Sequence, residues 1–138
     1  MTEKNMTENG KLEKVREFFA GDKFAAMAGC FVEEVDENHS VCSMEISDKH
    51  RNAYGGIMGG AIFTLADFAA AVVANQDGAK TVANNMNITF VGNTKEDKII
   101  ATAVMKKDGR STSYVEVEIL DKNGKQIAYT SVLGFHLN

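Results

Sequence analysis

Residues 52–75 read NAYGGIMGGAIFTLADFAAAVVAN, and this stretch decides the fold. From Ile57 to Ala74 it is an apolar run of 18 residues, long enough to raise the question of a membrane span. Three features exclude that. Two glycines stand near its start, alanines outnumber leucines, and Asp67 sits in its middle, where a carboxylate costs about 2.5–3.5 kcal/mol at the bilayer centre. A helix that is apolar on every face and too short for lipid is enclosed by other structure.

On both sides of the run the apolar period drops from helical to two. Upstream, Phe31–Asp36 and Val41–Ser47 alternate around a turn at Glu37-Asn38-His39 and read as a hairpin. Downstream, Thr81–Val91, Ile99–Lys106, Ser113–Leu120 and Lys125–Leu137 read as four strands. The turn dipeptides Asp108-Gly109 and Asn123-Gly124 predict an antiparallel meander for the last three. At the start, Leu12, Val15, Phe18 and Phe19 form one helical stripe, and FAAMAG at 24–29 adds a further turn behind Asp22. The expectation is one α+β domain over 1–138, with residues 1–28 a helical extension and a curved antiparallel sheet wrapped around one long central helix. Such a sheet covers one side of the helix, and a second copy of the chain is the simplest cover for the other.

The composition narrows the task. With 138 residues, 44% apolar and 25% charged, the chain has a real core and is not mostly disordered. Fifteen Lys and Arg against 19 Asp and Glu give a net charge of −4, which excludes a protein working mainly on the nucleic-acid backbone. An anionic ligand must therefore find a local basic patch. Cys30 and Cys42 lie in apolar stretches, the histidines are only His39, His50 and His136, and no C-x-x-C or H-x-x-x-H occurs. The thiols read as structural, no metal or cofactor is expected, and the opening MTEKNMTENGKLEK lacks a signal-peptide pattern, so the expected compartment is the cytoplasm.

Asp67 is the most informative residue. Aspartate is a poor helix former, and a buried carboxylate costs several kcal/mol unless paired or neutralised. Its readings are an internal ion pair or hydrogen bond, or a general base or nucleophile made more basic by an apolar setting. Just before the helix come Gly55-Gly56-Ile57-Met58-Gly59-Gly60. The first N–H groups of a helix lack internal partners and lie at the positive end of its dipole. Without side chains at Gly59 and Gly60, a ligand oxygen can approach them, which is what an oxyanion site requires. Gly59 and Asp67 are eight residues apart, roughly 12 Å along a helix, too far for one reacting carbon to touch both. Two antiparallel helices across a two-fold axis bring the glycine end of one to the aspartate of the other.

The stretch N-A-Y-G-G-I-M-G-G-A-I-F-T-L-A-D (52–67), with M-N-I-T-F at 86–90, K-x-x-G-R-S at 106–111 and Y-V-E-V-E-I-x-D-x-x-G-K at 114–125, closely resembles the hotdog-fold thioesterases of the phenylacetate-degradation (PaaI-like) type. The resemblance covers about residues 30–137. It implies a hotdog fold, a homodimer or dimer of dimers, and metal-independent hydrolysis of acyl-coenzyme A thioesters. It assigns carbonyl polarisation to the Gly59 N–H with help from Asn52, and water activation or direct attack to Asp67 of the other subunit. Two departures stand out. Met58 occupies the usual histidine position, and methionine donates no hydrogen bond. Ala83 occupies a position that is serine in some members, with Asn85 expected on the same strand face. Met58, Gly60 and Asn85 are thus expected to border the substrate.

For the coenzyme A phosphates the expected patch is Lys106, Lys107 and Arg110 with Ser111 and Thr112, and Lys49 with Arg51 is the second option. Two other activities remain open at this stage. One is a catalytically weak acyl-CoA or small-ligand binding protein, suggested by Met58. The other is a hotdog dehydratase, which needs a histidine beside its acid. The three histidines read as surface or capping residues.

Overall fold

The computed structural model describes residues 3–137, with side chains from Gly10 onward. Its elements run α1 (Glu3–Phe19), α2 (Lys23–Ala28), β1 (Cys30–Val35), β2 (His39–Glu45), a 3-10 turn at Asp48–His50, α3 (Gly59–Asn75), β3 (Thr81–Phe90), β4 (Lys98–Asp108), β5 (Thr112–Asp121) and β6 (Gln126–His136). The strands form one antiparallel sheet in the order β1-β2-β4-β5-β6-β3. The hairpin β1–β2 and the meander β4–β5–β6 are the pairings that the turn residues predict, while β3 crosses to the far edge and, among the described residues, pairs only with β6.

α3 lies in the hollow of this sheet. Ile62, Leu65, Ala66, Phe68, Ala69, Ala70, Val72 and Val73 are buried against Ile99, Ala101, Val115, Val117 and Ile119 from the strands. Each larger aliphatic side chain so enclosed stabilises the fold by about 1.5–3 kcal/mol. Ser40 ties β2 to the helix by donating its buried hydroxyl to the Ala69 carbonyl at 2.8 Å.

α1 begins at Glu3, well before the apolar stripe starts at Leu12. Val15 and Phe19 are buried, but Phe18 is 67% exposed, contrary to its assignment to the stripe. At 100° per residue Phe18 stands beside Phe19 at the stripe's margin, and its ring meets that of Phe19 edge-on at 5.0 Å. Phe19 in turn meets Phe68 of α3 edge-on at 6.0 Å. α2 ends at Gly29, whose φ of +94° lets the chain reverse into β1.

α3 is not enclosed all round. Gly60, Phe63 and Asp67 are exposed and Thr64, Ala71 and Ala74 half-buried, so one stripe at helical spacing faces outward from the single chain. Asp67 lies on that open stripe, which corrects the expectation of a fully buried carboxylate. Among the described residues no helix is long and apolar enough to cross a membrane.

Candidate functional site

The loop before α3 is built from the bottom up by side chains. Asn52 Oδ1 accepts the N–H groups of Tyr54 at 2.9 Å and Gly56 at 3.1 Å, closing a tight turn and leaving its amide NH2 as a donor. Asn93 clamps the next residue from across the fold: its Oδ1 accepts the Ile57 N–H at 3.0 Å and its Nδ2 donates to the Ile57 carbonyl at 3.2 Å. Arg51 donates to the carbonyls of Thr94 at 3.1 Å and of Glu96 and Gly55 at 3.4 Å, and Lys49 donates to the Met27 carbonyl at 2.8 Å. Both cations hold backbone, which ties this pair to the scaffold of the loop.

Asn93 was not singled out by sequence reasoning, because its partner lies 36 residues away. The weak local signal is the Gly92-Asn93-Thr94 loop itself. Asn93→Ala removes both bonds to Ile57 and loosens the start of α3. The expected loss is about 2 kcal/mol, a fall in Tm of roughly 6–8 °C, checked by thermal unfolding against the wild type.

At the helix start, Met58 donates its N–H to the His50 carbonyl at 2.8 Å, and its own carbonyl accepts from Ala61 at 3.0 Å. Its side chain is 54% exposed and caps nothing. The N–H groups of Gly59 and Gly60 have no acceptor among the described residues. A Cβ on Gly59 would stand 3.1 Å from the Phe90 ring, so glycine is what lets this backbone lie against the end of β3. These free donors at the positive end of a 17-residue helix can hold a developing oxyanion.

Further along the open stripe, the Asp67 carboxyl is pushed above the usual aspartate range, chiefly by burial and secondarily by the negative charge of Asp22. The residue keeps solvent contact on one side, yet Phe24, Phe63 and Phe68 share a cleft of about 390 Å³ with it, and that desolvation dominates. A carboxylate made more basic in this way suits a general base. Thr64 does not join it, because its hydroxyl donates to the Gly60 carbonyl at 2.8 Å.

Asn85 lies elsewhere. A bulge between Ala83 and Asn85 breaks the two-residue alternation, so Ala83 opposes Gly134 while Asn85 opposes Leu133. Ala83 therefore faces α3 and borders Asp67, whereas Asn85 lies on the outer face and accepts a hydrogen bond from Asn87 at 3.1 Å. The expectation that Asn85 shares Ala83's face is corrected accordingly.

Arg110, Ser111 and Thr112 form the exposed tip of the β4–β5 hairpin, closed by the Gly109 N–H donating to the Thr112 carbonyl at 2.8 Å. Lys106 is 3.9 Å from Glu116, while Arg110 has no acidic partner among the described residues. Thr112 pairs with Phe135, whose neighbour on β3 is Val82, so this tip belongs to the Asp67 end of the molecule. A second basic cleft opens at the Gly59 end. It measures about 440 Å³ and is lined by Tyr54, Gly56, Asn93, Lys95 and Lys125, with Tyr54 99% exposed. Its lysines come from two separate turns, which hid the pairing from sequence reading.

The cysteines, His39 and His50 are structural in these surroundings. Burial pushes the Cys30 thiol up to about 12, with Asp22 and Asp67 adding to the effect, and burial likewise pushes Cys42 up to about 12. His50 is buried, its Nδ1 accepting the Ser47 N–H at 2.9 Å and its Nε2 2.6 Å from the Ala28 carbonyl. His39 closes the β1–β2 turn against Asp36 at 2.6 Å. Among the described residues no group of three or more His, Cys, Asp or Glu side chains is placed to hold a metal ion.

Comparison with known proteins fits this geometry. Residues 54–128 match the family model described as the thioesterase superfamily. The chain is 29% identical over 111 residues to the acyl-coenzyme A thioesterase PaaI of Escherichia coli, covering 80% of this chain and 79% of that one. It is 34% identical over 92 residues to human acyl-coenzyme A thioesterase 13, covering 64% and 66%. The solved E. coli PaaI structure superposes with a TM-score of 0.88 at 23% identity, covering 95% and 96% of the two chains. A Streptococcus pneumoniae hypothetical thioesterase solved with coenzyme A gives 0.80 at 22% identity, covering 87% and 97%. A sheet curved around one helix, free N–H groups at that helix's glycine start and a family match over more than half its length lead to one conclusion: the chain belongs to the thioesterase superfamily, as a hotdog-fold protein of PaaI-like type.

Proposed function

We propose that the chain hydrolyses acyl-coenzyme A thioesters at two equivalent sites, each shared between the subunits of a homodimer or dimer of dimers. The observation that carries this reading is the pairing of free Gly59 and Gly60 N–H groups with a basic Asp67 on one open stripe of α3. They are roughly 12 Å apart in one chain. β3 is an edge strand with one side unpaired, and antiparallel pairing of two such edges about a two-fold axis would set the Gly59 end of one helix beside Asp67 of the other.

In that arrangement the thioester carbonyl oxygen accepts from the Gly59 N–H, with the Asn52 amide as a further donor. Asp67 of the second subunit takes a proton from water as the water attacks the carbonyl carbon. The tetrahedral intermediate collapses with loss of the thiolate, which recovers the proton. The same symmetry would bring Arg110, Ser111 and Thr112 of the Asp67 subunit toward Lys95 and Lys125 of the Gly59 subunit. A protein with a net charge of −4 would thereby hold a polyanion between two local patches. The resemblance of the chain to PaaI and to a structure solved with coenzyme A supports coenzyme A as the carrier. Acyl-CoA is here the substrate, and no further cofactor is invoked.

The test is free-thiol release from a panel of short, medium, long-chain and aryl acyl-CoAs, with mass measured in solution. Hydrolysis of at least one substrate by a dimer or tetramer is expected. Tight binding of acyl-CoA with no turnover would favour the alternative of a non-catalytic binding protein. The Met58 side chain, beside the oxyanion donors, donates no hydrogen bond, so Met58→His is expected to raise kcat about tenfold by adding one hydrogen bond to the carbonyl. An unchanged or lower kcat would mean that the site is built around the methionine.

A further inference from the structure

On the sheet side of Asp67, opposite the cleft with Phe24, a second and much smaller crevice lies between α3 and the ends of β3, β5 and β6. Its volume is about 30 Å³, and Asp67, Thr81 and Ser113 line it among alanines, valines and Gly134. That is the space of about one water molecule, and a carboxylate with two hydroxyls supplies the two to four polar partners such a water needs. Thr81 precedes Ala83 by two residues with no bulge between them, so both face the crevice. Gly134 makes room for it. A Cβ there would stand 2.8 Å from Thr81 Cγ2 and 2.6 Å from Ser113 Oγ.

Thr81 is held by more than its strand. Its N–H donates to Asn75 Oδ1 at 2.6 Å, and its Oγ1 lies 2.7 Å from His136 Nδ1. The other imidazole nitrogen, Nε2, is 3.0 Å from Asp108 Oδ1 and 3.1 Å from the Gly109 carbonyl. Both partners of Nε2 are acceptors, so Nε2 carries the hydrogen in the neutral ring and Nδ1 accepts the Thr81 hydroxyl proton. The threonine O–H is then committed to His136, and its oxygen keeps lone pairs free to accept.

We propose that Thr81, held by the His136–Asp108 pair, is a positioning residue for the hydrolytic water, which occupies this crevice against Asp67. This rests on the hydrolase reading given above. The water donates one hydrogen to Asp67 and the other to Thr81 Oγ1, so its own lone pair is the group that points away toward the thioester carbon. As the C–O bond forms, one water O–H bond breaks and its proton passes to Asp67. The carbonyl electron pair moves onto the oxygen held by the partner's Gly59 N–H. The C–S bond then breaks, and the thiolate takes the proton back from Asp67. Thr81 exchanges no proton. It fixes which hydrogen faces which acceptor, and so supplies from position 81 a hydroxyl that Ala83 lacks.

The experiment compares Thr81→Val, Thr81→Ser and Asp108→Asn with the wild type on any acyl-CoA that the wild type hydrolyses. Thr81→Val keeps the shape and removes the hydroxyl. It is expected to lower kcat about tenfold, the kinetic equivalent of one hydrogen bond, with KM within about twofold. Thr81→Ser is expected to restore kcat to within about twofold, and Asp108→Asn, at an exposed turn, to fall between the two. A Thr81→Val enzyme with wild-type kcat overturns the proposal, as does a serine variant no better than valine, which would assign Thr81 to packing alone. If Thr81→Val loses its fold by circular dichroism, Asp108→Asn decides, and an unchanged kcat there overturns the proposal. Absence of turnover by the wild type on every substrate removes the hydrolase reading and this one with it. Turnover that disappears in Asp67→Asn but is unchanged in Thr81→Val removes only this one.

Discussion

Asp67→Asn is expected to lower kcat for thioester hydrolysis by at least about a hundredfold with KM nearly unchanged, since the amide fills the same space but accepts no proton. In the wild type, kcat/KM should rise with pH through a midpoint above the ordinary aspartate value of 3.8, because burial first and the Asp22 charge second raise the Asp67 carboxyl. The acid limb in Asp67→Asn should lose that midpoint. The same substitution is expected to raise Tm at neutral pH. A carboxyl whose pKa is higher in the folded than in the unfolded chain binds protons more tightly when folded. Stability therefore falls as pH rises through the interval between 3.8 and the raised folded value, and at pH 7 the full cost of the ionised group is present. Asparagine carries no such cost, so its advantage should fade as the pH drops below about 4. Thermal unfolding of both proteins from pH 3 to pH 8 checks the sign. An asparagine variant less stable than wild type at pH 7 would mean that ionised Asp67 has a favourable partner, and an unaltered kcat would remove it from the chemistry. Greater stability with lost activity is the pattern of a residue kept for what it does rather than for what it holds together.

How far the sequence carried this picture depends on whether a residue's role is set locally. The central helix was legible because Ile57–Ala74 is apolar throughout and the glycines mark its start, and the observed helix runs from Gly59 to Asn75. The hairpin and the meander were legible from turn dipeptides. Which side of the helix the sheet leaves open was not legible, because a run that is apolar on every face carries no record of direction, so the sequence alone does not show Asp67 on the open side. Asn85 shows a different limit. Alternation assigns faces only while the register is unbroken, and one extra residue between Ala83 and Asn85 turns the second asparagine outward. Asn93 and Lys125 acquire their roles from chain segments tens of residues away, and His136 reaches Thr81 over 55 residues through the β3–β6 pairing. The sequence offers no spacing rule for such meetings. Phe18 is a smaller case of the same kind, a residue at the margin of a stripe whose burial depends on what α1 packs against.

Co-refolding equal amounts of Gly59→Val and Asp67→Asn chains is expected to recover about a quarter of wild-type turnover from two preparations that are each nearly inactive. Valine at 59 pushes against Phe90, which lies 3.1 Å from a Cβ built there, and screens the N–H groups that hold the oxyanion. Each homodimer then carries the same defect in both sites. Random association makes half the dimers mixed. In a mixed dimer the intact Gly59 of the asparagine chain meets the intact Asp67 of the valine chain, so one site is whole and the other carries both defects. Half the dimers with half their sites give one quarter. If both residues instead served one site within a single chain, no assortment of these chains would contain an intact site, and the mixture would stay as inactive as its components. The experiment thus reads the intersubunit geometry through activity, independently of mass. It also separates a dimer formed through the open stripe of α3 and the β3 edge from an association elsewhere on the surface, since only the former restores turnover on mixing.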